Sequence, residues 1–268
     1  MSDDGNAGWR PRTRAVRGGL DRSPHGETSE ALYLSSGFVY DSAEQAEARF
    51  LSADPGFIYS RYGNPTVAMF EERLAQLDGS EACFATASGM AAVFAALMCQ
   101  LQSGGHVVAS RALFGSCHYI LTQLLPRYGI AVDLVDGADL AQWRAAIREG
   151  TTCVFFETPS NPTLDLIDIK AVAELAHGAG ALVVVDNVFS TPILQKPVAY
   201  GADVVVYSGT KHMDGQGRIL GGAVLANQQF IDDNLMQFMR HTGPAMSAFN
   251  AWILLKGLET MELRLDEQ

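Results

Sequence analysis

The chain has 268 residues, is 48% hydrophobic and 18% charged, and carries a formal net charge of -11 with a pI near 4.9. This composition predicts a soluble globular protein with a large core, and the lack of Lys/Arg runs argues against nucleic acid as a partner. The longest apolar run, from Met90 to Cys99, is too short to span a bilayer, which argues against a membrane protein.

The cysteines are scattered along the chain, without a C-x-x-C pair or neighbouring histidines: Cys83, Cys99, Cys117 and Cys153. This pattern predicts reduced core thiols in a cytoplasmic protein and no disulfide framework. The six histidines also lack the spacing of metal ligands, so no metal site is predicted.

Residues 1–60 combine weak periodicity with many turn-forming residues and with five arginines before residue 30. Arginines here are compatible with a transit peptide, but Asp3, Asp4 and Gly5 at the start argue against one. We therefore expect residues 1–60 to form an N-terminal arm, mobile over residues 1–30, and residues 61–268 to form one large domain.

From about residue 80 onward, short apolar runs alternate with amphipathic segments. The runs predict strands over 82–86, 106–110, 130–135, 153–157, 181–186, 204–208 and 221–226. The other segments predict helices over 89–100, 116–127, 140–148, 168–178, 228–240 and 246–265. This alternation is typical of an α/β fold, with a mostly parallel sheet between two layers of helices. In such sheets, ligands bind beyond the carboxyl ends of the strands.

Polar or aromatic residues follow the first two predicted strands. Ser88, Gly89 and Met90 lie at the start of a predicted helix, whose N-terminus suits a phosphate. A serine N-cap followed by a turn glycine is the alternative. Phe114 follows the second strand, where it can stack on a planar ring or simply belong to the core.

Two further strands end in residues that suit a bound ring. Asn161 lies between two prolines that fix its turn, so its amide is placed to bind a ligand, with ordinary turn chemistry as the alternative. Asp186 ends a strand, where it can pair with a protonated pyridine nitrogen or cap a loop.

The strand at 204–208 leads through Ser208 and Thr210 to Lys211, one of four lysines in the chain. A lysine at the mouth of a buried strand is costly to desolvate, and the neutral amine that burial favours forms imines. Ser208 and Thr210 suit a phosphate. Glycines that would admit a flat ligand are Gly209, Gly215 and Gly217. These features together predict a site for pyridoxal 5'-phosphate (PLP).

A loop before the sheet, from Tyr59 to Pro65, contains two more candidates. Arg61 can grip a phosphate and Tyr59 can hydrogen-bond one. A plain surface loop is the alternative.

Taken in order, five segments resemble the Cys/Met-metabolism family of PLP-dependent enzymes. They are Tyr59–Thr66, Ala87–Met90, Glu157–Pro162, Val185–Asn187 and Ser208–Lys211. The resemblance implies the large domain of a PLP-dependent transferase (aminotransferase fold type I), with the family's smaller C-terminal domain outside these 268 residues. The segments 214–222 and 241–247 look most like members that replace the acyloxy group of a homoserine ester by sulfide.

The resemblance also implies a role for each matching residue. Lys211 would form the imine with PLP and Asp186 would pair with the pyridine nitrogen, while Asn161 and Phe114 contact the ring. The expected phosphate ligands are Ser88, Gly89, Met90, Ser208 and Thr210, joined by Tyr59 and Arg61 from a neighbouring subunit. This implies a homo-oligomer, usually a tetramer, whose N-terminal arm lies on the neighbour. Many family members have tyrosine in place of Phe114, so Tyr59 or Lys211 would supply any proton to the leaving group.

Overall fold

The computed structural model describes residues 8–268, so the first seven residues of the predicted arm lie outside the described part. Seven strands form one sheet: β1 (Ala82–Thr86), β2 (His106–Ser110), β3 (Ala131–Val135), β4 (Thr151–Glu157), β5 (Leu182–Asp186), β6 (Val204–Ser208) and β7 (Gly222–Ala226). Every predicted strand is present, with bounds within two residues of those expected.

The strand order is β1-β7-β6-β5-β4-β2-β3. The five strands from β6 to β3 are parallel, and only β7 runs antiparallel to both of its neighbours. Because β7 lies between β1 and β6, β1 runs in the same direction as β6. The carboxyl ends of all six other strands therefore meet at one edge of the sheet, as the mostly parallel sheet predicted.

Helices cover both faces of the sheet because its central strands are apolar on both sides. In β5, Val183 and Val185 belong to one buried cluster and Val184 to the other. The first cluster includes side chains of helices at 65–78, 169–178 and 248–259. The second cluster includes those of the helix at 89–98. Strands buried on both faces are apolar along their whole length, whereas strands with one exposed face alternate apolar and polar residues.

Twelve α-helices lie within the described residues. They are α1 (Pro11–Arg17), α2 (Ala43–Phe50), α3 (Pro65–Asp78), α4 (Gly89–Met98), α5 (Gly115–Tyr119), α6 (Leu140–Ala146), α7 (Ile169–Gly178), α8 (Thr191–Leu194), α9 (Gln228–Phe230), α10 (Met236–Thr242), α11 (Ala248–Glu259) and α12 (Met261–Glu267). Two π-helical segments, at 120–124 and 231–235, and two 3-10 segments, at 125–128 and 197–200, complete them.

Three predicted helices differ from the structure. The helix expected over 228–240 contains a π-helical segment at 231–235 between α9 and α10. The helix expected over 116–127 becomes a π turn and then a 3-10 turn, because Pro126 has no N–H and its ring clashes with the preceding turn. The helix expected over 246–265 is interrupted at Thr260, whose backbone leaves the helical region. The sequence interpretation also missed α3, although Asn64 and Pro65 at its start are a typical N-terminal signal.

The first part of the predicted arm packs on the chain's own body. Ala15 of α1 is buried, and Arg12 forms ion pairs with Glu262 and Asp266 of α12. Glu30 is buried between Arg73 and Lys256 and bonds to both. Residues 8–30 are therefore fixed to this chain, which corrects the expectation of a mobile arm for that stretch. The boundary at residue 60 stays a prediction.

Glu30 provides a test of this attachment. Burial opposes its ionisation, but Lys256 and Arg73 hold its pKa at about 2, below the ordinary 4.5. A lowered pKa adds stability above pH 4.5 that is lost as the pH falls through 2. Replacing Glu30 by Gln leaves the buried Arg73 without its charge partner and should cost about 3 kcal/mol at pH 7.

Urea unfolding of the wild type and of Glu30→Gln at several pH values measures this difference, which should shrink between pH 4.5 and pH 2. Glu259→Gln is the matched control, because Glu259 pairs with the same Lys256 but is 30% exposed. Its loss should cost less than about 1 kcal/mol. Equal losses for the two variants would contradict the assignment.

Candidate active site

A cavity of about 250 Å³ opens at the carboxyl edge of the sheet. Nine of the eleven predicted site residues line it, all except Tyr59 and Arg61: Ser88, Gly89, Met90, Phe114, Asn161, Asp186, Ser208, Thr210 and Lys211. The strand ends bring these residues together from positions more than 120 residues apart in the sequence, as the parallel order requires.

The N-terminus of α4 forms one wall of the cavity. Ser88 caps this helix, since its Oγ accepts the N–H of Ala91 at 3.1 Å, so the alternative interpretation of Ser88 holds. The cap leaves the first N–H groups of α4 available to an anion. A Cβ on Gly89 would lie 2.5 Å from the Cβ of Ser208, so only glycine fits between α4 and β6. The wall therefore suits a phosphate group.

Two of the three glycines singled out after β6 serve packing and not ligand approach, whereas a Cβ on Gly217 would meet no atom within 4 Å. A Cβ on Gly209 would lie 2.8 Å from Leu254 of α11, and one on Gly215 would lie 1.9 Å from Arg264 of α12. These two glycines therefore face the C-terminal helices, which corrects the expectation that they admit a flat ligand. Thr210 accepts the N–H of Gly221 at 3.1 Å and so ties this turn to β7.

Asp186 is 6% exposed, and its Oδ1 accepts the N–H of Val188 at 3.1 Å. Burial, and then the nearby Glu157, raise the pKa of Asp186 to about 7. A buried carboxylate at the wall of a cavity is suited to a cationic group, because a cation restores the ionised form. The protonated ring nitrogen of PLP is such a group, so Asp186 fits this cofactor.

Phe114 and Asn161 lie on two loops at the mouth of the cavity. Phe114 is 43% exposed and is the N-cap residue of α5, so it is available to stack on a ring and is not a core residue. Asn161 is also exposed, and the peptide bond that joins it to Pro162 is cis. Both side chains are thus accessible from the cavity.

Lys211 lies at the cavity mouth with its side chain exposed. The expectation that the amine of Lys211 is buried is therefore wrong, because Lys211 lies in a turn beyond the end of β6. The backbone of the turn is fixed: Arg264 of α12 donates to the carbonyl oxygens of His212 and Met213, at 2.8 and 3.2 Å. The lysine is thus held in place but is not desolvated.

Tyr59 and Arg61 lie outside the cavity. The Arg61 guanidinium stacks on the rings of Tyr59 and Tyr62, 5.3 and 4.8 Å from their centroids, and donates to the carbonyl oxygen of Arg240. Tyr59 is 42% exposed. That Tyr59 and Arg61 bind the phosphate in the site of a neighbouring subunit stays a prediction.

The sequence interpretation assigned no role to several residues that line the cavity. The most informative is Glu157, which ends β4 as Asp186 ends β5. Asn187, next to Asp186, donates to the hydroxyl of the buried Tyr207, which in turn donates to Asp78 of α3. These hydrogen bonds connect the residue after β5 to β6 and α3. Glu157 could have been singled out from the sequence because, like Asp186, it is a carboxylate at the end of a predicted strand.

Between residues 8 and 268, no group of three His, Cys, Asp or Glu side chains is arranged to hold a metal ion. Within the same range, no helix combines the length and the apolar character needed to cross a membrane.

Solved structures define the class of the protein. The chain superposes with a TM-score of 0.90 on metB from Corynebacterium glutamicum, at 31% identity, covering 96% of this chain and 65% of that one. It also superposes, with a TM-score of 0.91 and 30% identity, on a Campylobacter jejuni protein that carries N'-pyridoxyl-lysine-5'-monophosphate, covering 96% and 72% of the two chains. Fold and cavity together are those of the large domain of a PLP-dependent transferase of fold type I, as expected.

Residues 12–268 match the family model for Cys/Met metabolism PLP-dependent enzymes, and the chain belongs to that family. The predicted family and cofactor class are thereby confirmed. The O-succinylhomoserine sulfhydrylases of Mycobacterium tuberculosis and Pseudomonas aeruginosa are 59% and 49% identical over 94% of this chain. An L-methionine gamma-lyase of Porphyromonas gingivalis is 39% identical over 95% of it. The chain spans 62 to 64% of the length of these relatives.

Replacement of Gly89 tests the phosphate wall. Gly89→Ala places a methyl group against Ser208 and should displace the start of α4, weakening PLP binding by about tenfold or more. Gly115→Ala is the matched control, because Gly115 also begins a helix beside the cavity but has no atom near its Cβ. Fluorescence titration with PLP measures both affinities. Equal losses in the two variants would argue against the wall.

Replacement of Asp186 tests the buried carboxylate without cofactor. Its pKa is raised from 3.8 to about 7, so its stabilising effect is complete below pH 3.8 and is lost as the pH rises through 7. In the PLP-free chain, Asp186→Asn should therefore be more stable than the wild type at pH 8, by about 2 kcal/mol. The gain in stability should decline progressively towards pH 4. The same substitution should also lower the affinity for PLP.

Urea unfolding at pH 8, 6 and 4 measures the gain. The control is Glu71→Gln, because burial raises the pKa of Glu71 to about 7 as well, but Glu71 lies on α3 away from the cavity. Glu71→Gln should follow the same pH trend and leave PLP binding unchanged. A destabilised Asp186→Asn at pH 8 would contradict the assignment.

Proposed function

We propose that the protein to which this chain belongs catalyses γ-replacement on an activated homoserine ester: O-succinylhomoserine and sulfide react to give homocysteine and succinate. This places it in methionine biosynthesis, in the cytoplasm. The observation that carries the proposal is the convergence of Lys211, Asp186 and the start of α4 on one cavity. The 59% identity to a protein named O-succinylhomoserine sulfhydrylase supports the choice of substrate.

In this proposal the cavity binds PLP through groups on five strand ends. The N–H groups of Gly89 and Met90 bind the phosphate, together with the hydroxyls of Ser88, Ser208 and Thr210. Asp186 holds the proton on the ring nitrogen, Asn161 binds the phenolic oxygen, and Phe114 stacks on the ring. When bound, PLP accepts electrons from the reacting carbon of the substrate.

Lys211 moves the protons of the reaction. Its Nζ removes a proton from the α-carbon of the substrate and next from the β-carbon, and returns both after the exchange at the γ-carbon. A long, flexible side chain reaches both carbons, which a short carboxylate cannot do. Phe114 has no hydroxyl, so Lys211 or Tyr59 supplies any proton that the departing succinate takes.

The proposal includes a homo-oligomer with shared sites. Tyr59 and Arg61 lie outside the cavity of their own chain, and Tyr59 is exposed. In an oligomer their hydroxyl and guanidinium would bind the PLP phosphate of a second copy. The exposed Lys211 would then be covered when the copies associate.

A γ-elimination reaction is the second candidate, favoured by the 39% identity to a protein named L-methionine gamma-lyase. O-acetylhomoserine sulfhydrylase and cystathionine γ-synthase activities use the same set of residues. A non-enzymatic alternative is a fragment that binds PLP without turnover, and the exposed Lys211 favours it for these 268 residues. Assays with both homoserine esters, with sulfide and with cysteine, and with methionine alone separate these functions.

The proposal predicts the products and the reacting lysine. O-succinylhomoserine with sulfide should give homocysteine and succinate faster than the acetyl ester does, and Lys211→Ala should lower the rate by about a thousandfold. After borohydride treatment with PLP, mass spectrometry should locate the pyridoxyl group on Lys211. Lys170→Ala is the matched control, because Lys170 is an exposed lysine on α7 outside the cavity.

Pyridoxyl on another lysine would contradict the assignment of Lys211. Pyridoxyl on Lys211 without turnover of any ester would favour the PLP-binding fragment. Release of methanethiol from methionine in preference to ester exchange would favour the γ-lyase.

A further inference from the structure

Glu157 is a buried carboxylate of the cavity with no part in the functions described above. It ends β4, is 4% exposed, and lines the cavity beside Asn161 and Asp186. In the parallel pairing of β4 and β5, its register partner is Asp186. Partners in register direct their side chains to the same face of a sheet, so two carboxylates lie side by side at this edge.

The contacts of Glu157 connect two loops of the site. Its Oε2 accepts the N–H of Phe114 at 2.9 Å, which fixes the N-cap residue of α5. Burial raises its pKa, and the N–H groups of Phe114 and Asn161 oppose that rise. Glu157 thus supports the two residues proposed to contact the face and the phenolic oxygen of the cofactor.

Within the part of the chain that the structure describes, neither carboxylate has a basic partner. The ion pairs formed by residues 8–268 include neither Glu157 nor Asp186. By contrast, the buried Glu30 pairs with Arg73 and Lys256. Two neighbouring buried carboxylates without a cation repel each other, and each disfavours ionisation of the other. A cation bound beside them removes that cost, so the pair is matched to a positively charged ligand group.

We propose that Glu157 is a positioning residue whose negative charge, acting beside Asp186, strengthens binding of the protonated ring nitrogen of PLP. The inference rests on the proposed function, because it takes PLP as the ligand of the cavity. It adds that recognition of the ring nitrogen depends on a pair of carboxylates and not on Asp186 alone. It also separates two effects of Glu157: its charge acts on the ring nitrogen, and its oxygen holds Phe114.

The charge effect depends on the ring nitrogen, whereas support of Phe114 does not. The analogue 1-deaza-pyridoxal 5'-phosphate has carbon in place of that nitrogen and keeps the aldehyde, the phenolic oxygen and the phosphate. The ratio of its dissociation constant to that of PLP therefore isolates the recognition of the nitrogen. Fluorescence titration of the 268-residue chain with each compound gives this ratio.

Two variants separate charge from support. Glu157→Gln removes the charge but keeps an oxygen that can accept the Phe114 N–H, so the ratio should fall about tenfold, equal to one pKa unit of differential interaction. Glu157→Asp keeps the charge but shortens the reach to Phe114. It should weaken both compounds similarly and leave the ratio near that of the wild type.

Two further variants calibrate the experiment. Asp186→Asn should lower the ratio more than Glu157→Gln does, because it removes the direct partner of the nitrogen. Glu71→Gln removes a carboxyl outside the cavity and should leave the ratio unchanged. Circular dichroism and urea unfolding identify any variant that fails to fold. If Glu157→Gln does not fold, Glu157→Asn removes the same charge and takes its place.

The outcomes are distinct. A ratio that falls in Glu157→Gln and stays in Glu157→Asp supports the proposal. Equal weakening of both compounds in Glu157→Gln overturns it, and Glu157 is then only a structural support of α5. If the wild type binds neither compound, the proposed function fails and this inference with it. If the wild type prefers PLP and only Asp186→Asn loses that preference, the proposed function stands and this inference alone fails.

Discussion

The register of β4, β5 and β6 is the constraint on which the site depends. Glu157 pairs with Asp186 across β4 and β5, and Asp186 pairs with Val206, two residues before the end of β6. A slip of one residue in β5 would turn Asp186 to the opposite face and bring an apolar side chain into the cavity. Valines at 183, 184 and 185, buried on both faces, resist any change that would expose them. The hydrophobic core therefore fixes the position of the charged groups.

The two sets of buried carboxylates differ in how their charge is balanced. Glu30 lies between Arg73 and Lys256, so the folded chain itself stabilises its ionised form. Asp186 and Glu157 have hydrogen bonds from backbone N–H groups but no basic partner on the described chain, and burial raises the pKa of both. Stability alone gives no reason to keep such a pair. The paired charge of Glu30 attaches the N-terminal segment to the rest of the chain. The carboxyls of Asp186 and Glu157, which have no basic partner within the described residues, suit a cationic ligand.

The predictable parts of this molecule were those fixed by local pattern. Runs such as Val204–Ser208 identify buried strands, and residues that follow such strands in a parallel sheet meet at one edge. Nine of the predicted site residues accordingly line one cavity, while their roles stay predictions. Properties set by distant packing were not predictable. Gly209 faces Leu254 of a helix some 40 residues later, and Glu30 meets Lys256 across the whole chain. The exposure of Lys211 was missed for the same reason, because strand burial says nothing about what covers the turn beyond the strand.

The contrast between Asp186 and Lys211 shows which part of the site this chain builds. Asp186 is 6% exposed at the end of β5, and the next residue, Asn187, is linked through Tyr207 to Asp78, so hydrogen bonds fix this end of the strand. Lys211 is fixed only through its backbone turn, which Arg264 holds from α12, and its amine faces solvent. In the proposed reaction Lys211 serves two carbons of the substrate, and a side chain that is held only through its backbone keeps the freedom to reach both. The carboxylate that would hold the ring needs the opposite property, because it faces a single atom. The buried end of β5 and the exposed turn after β6 therefore suit the different tasks proposed for Asp186 and Lys211.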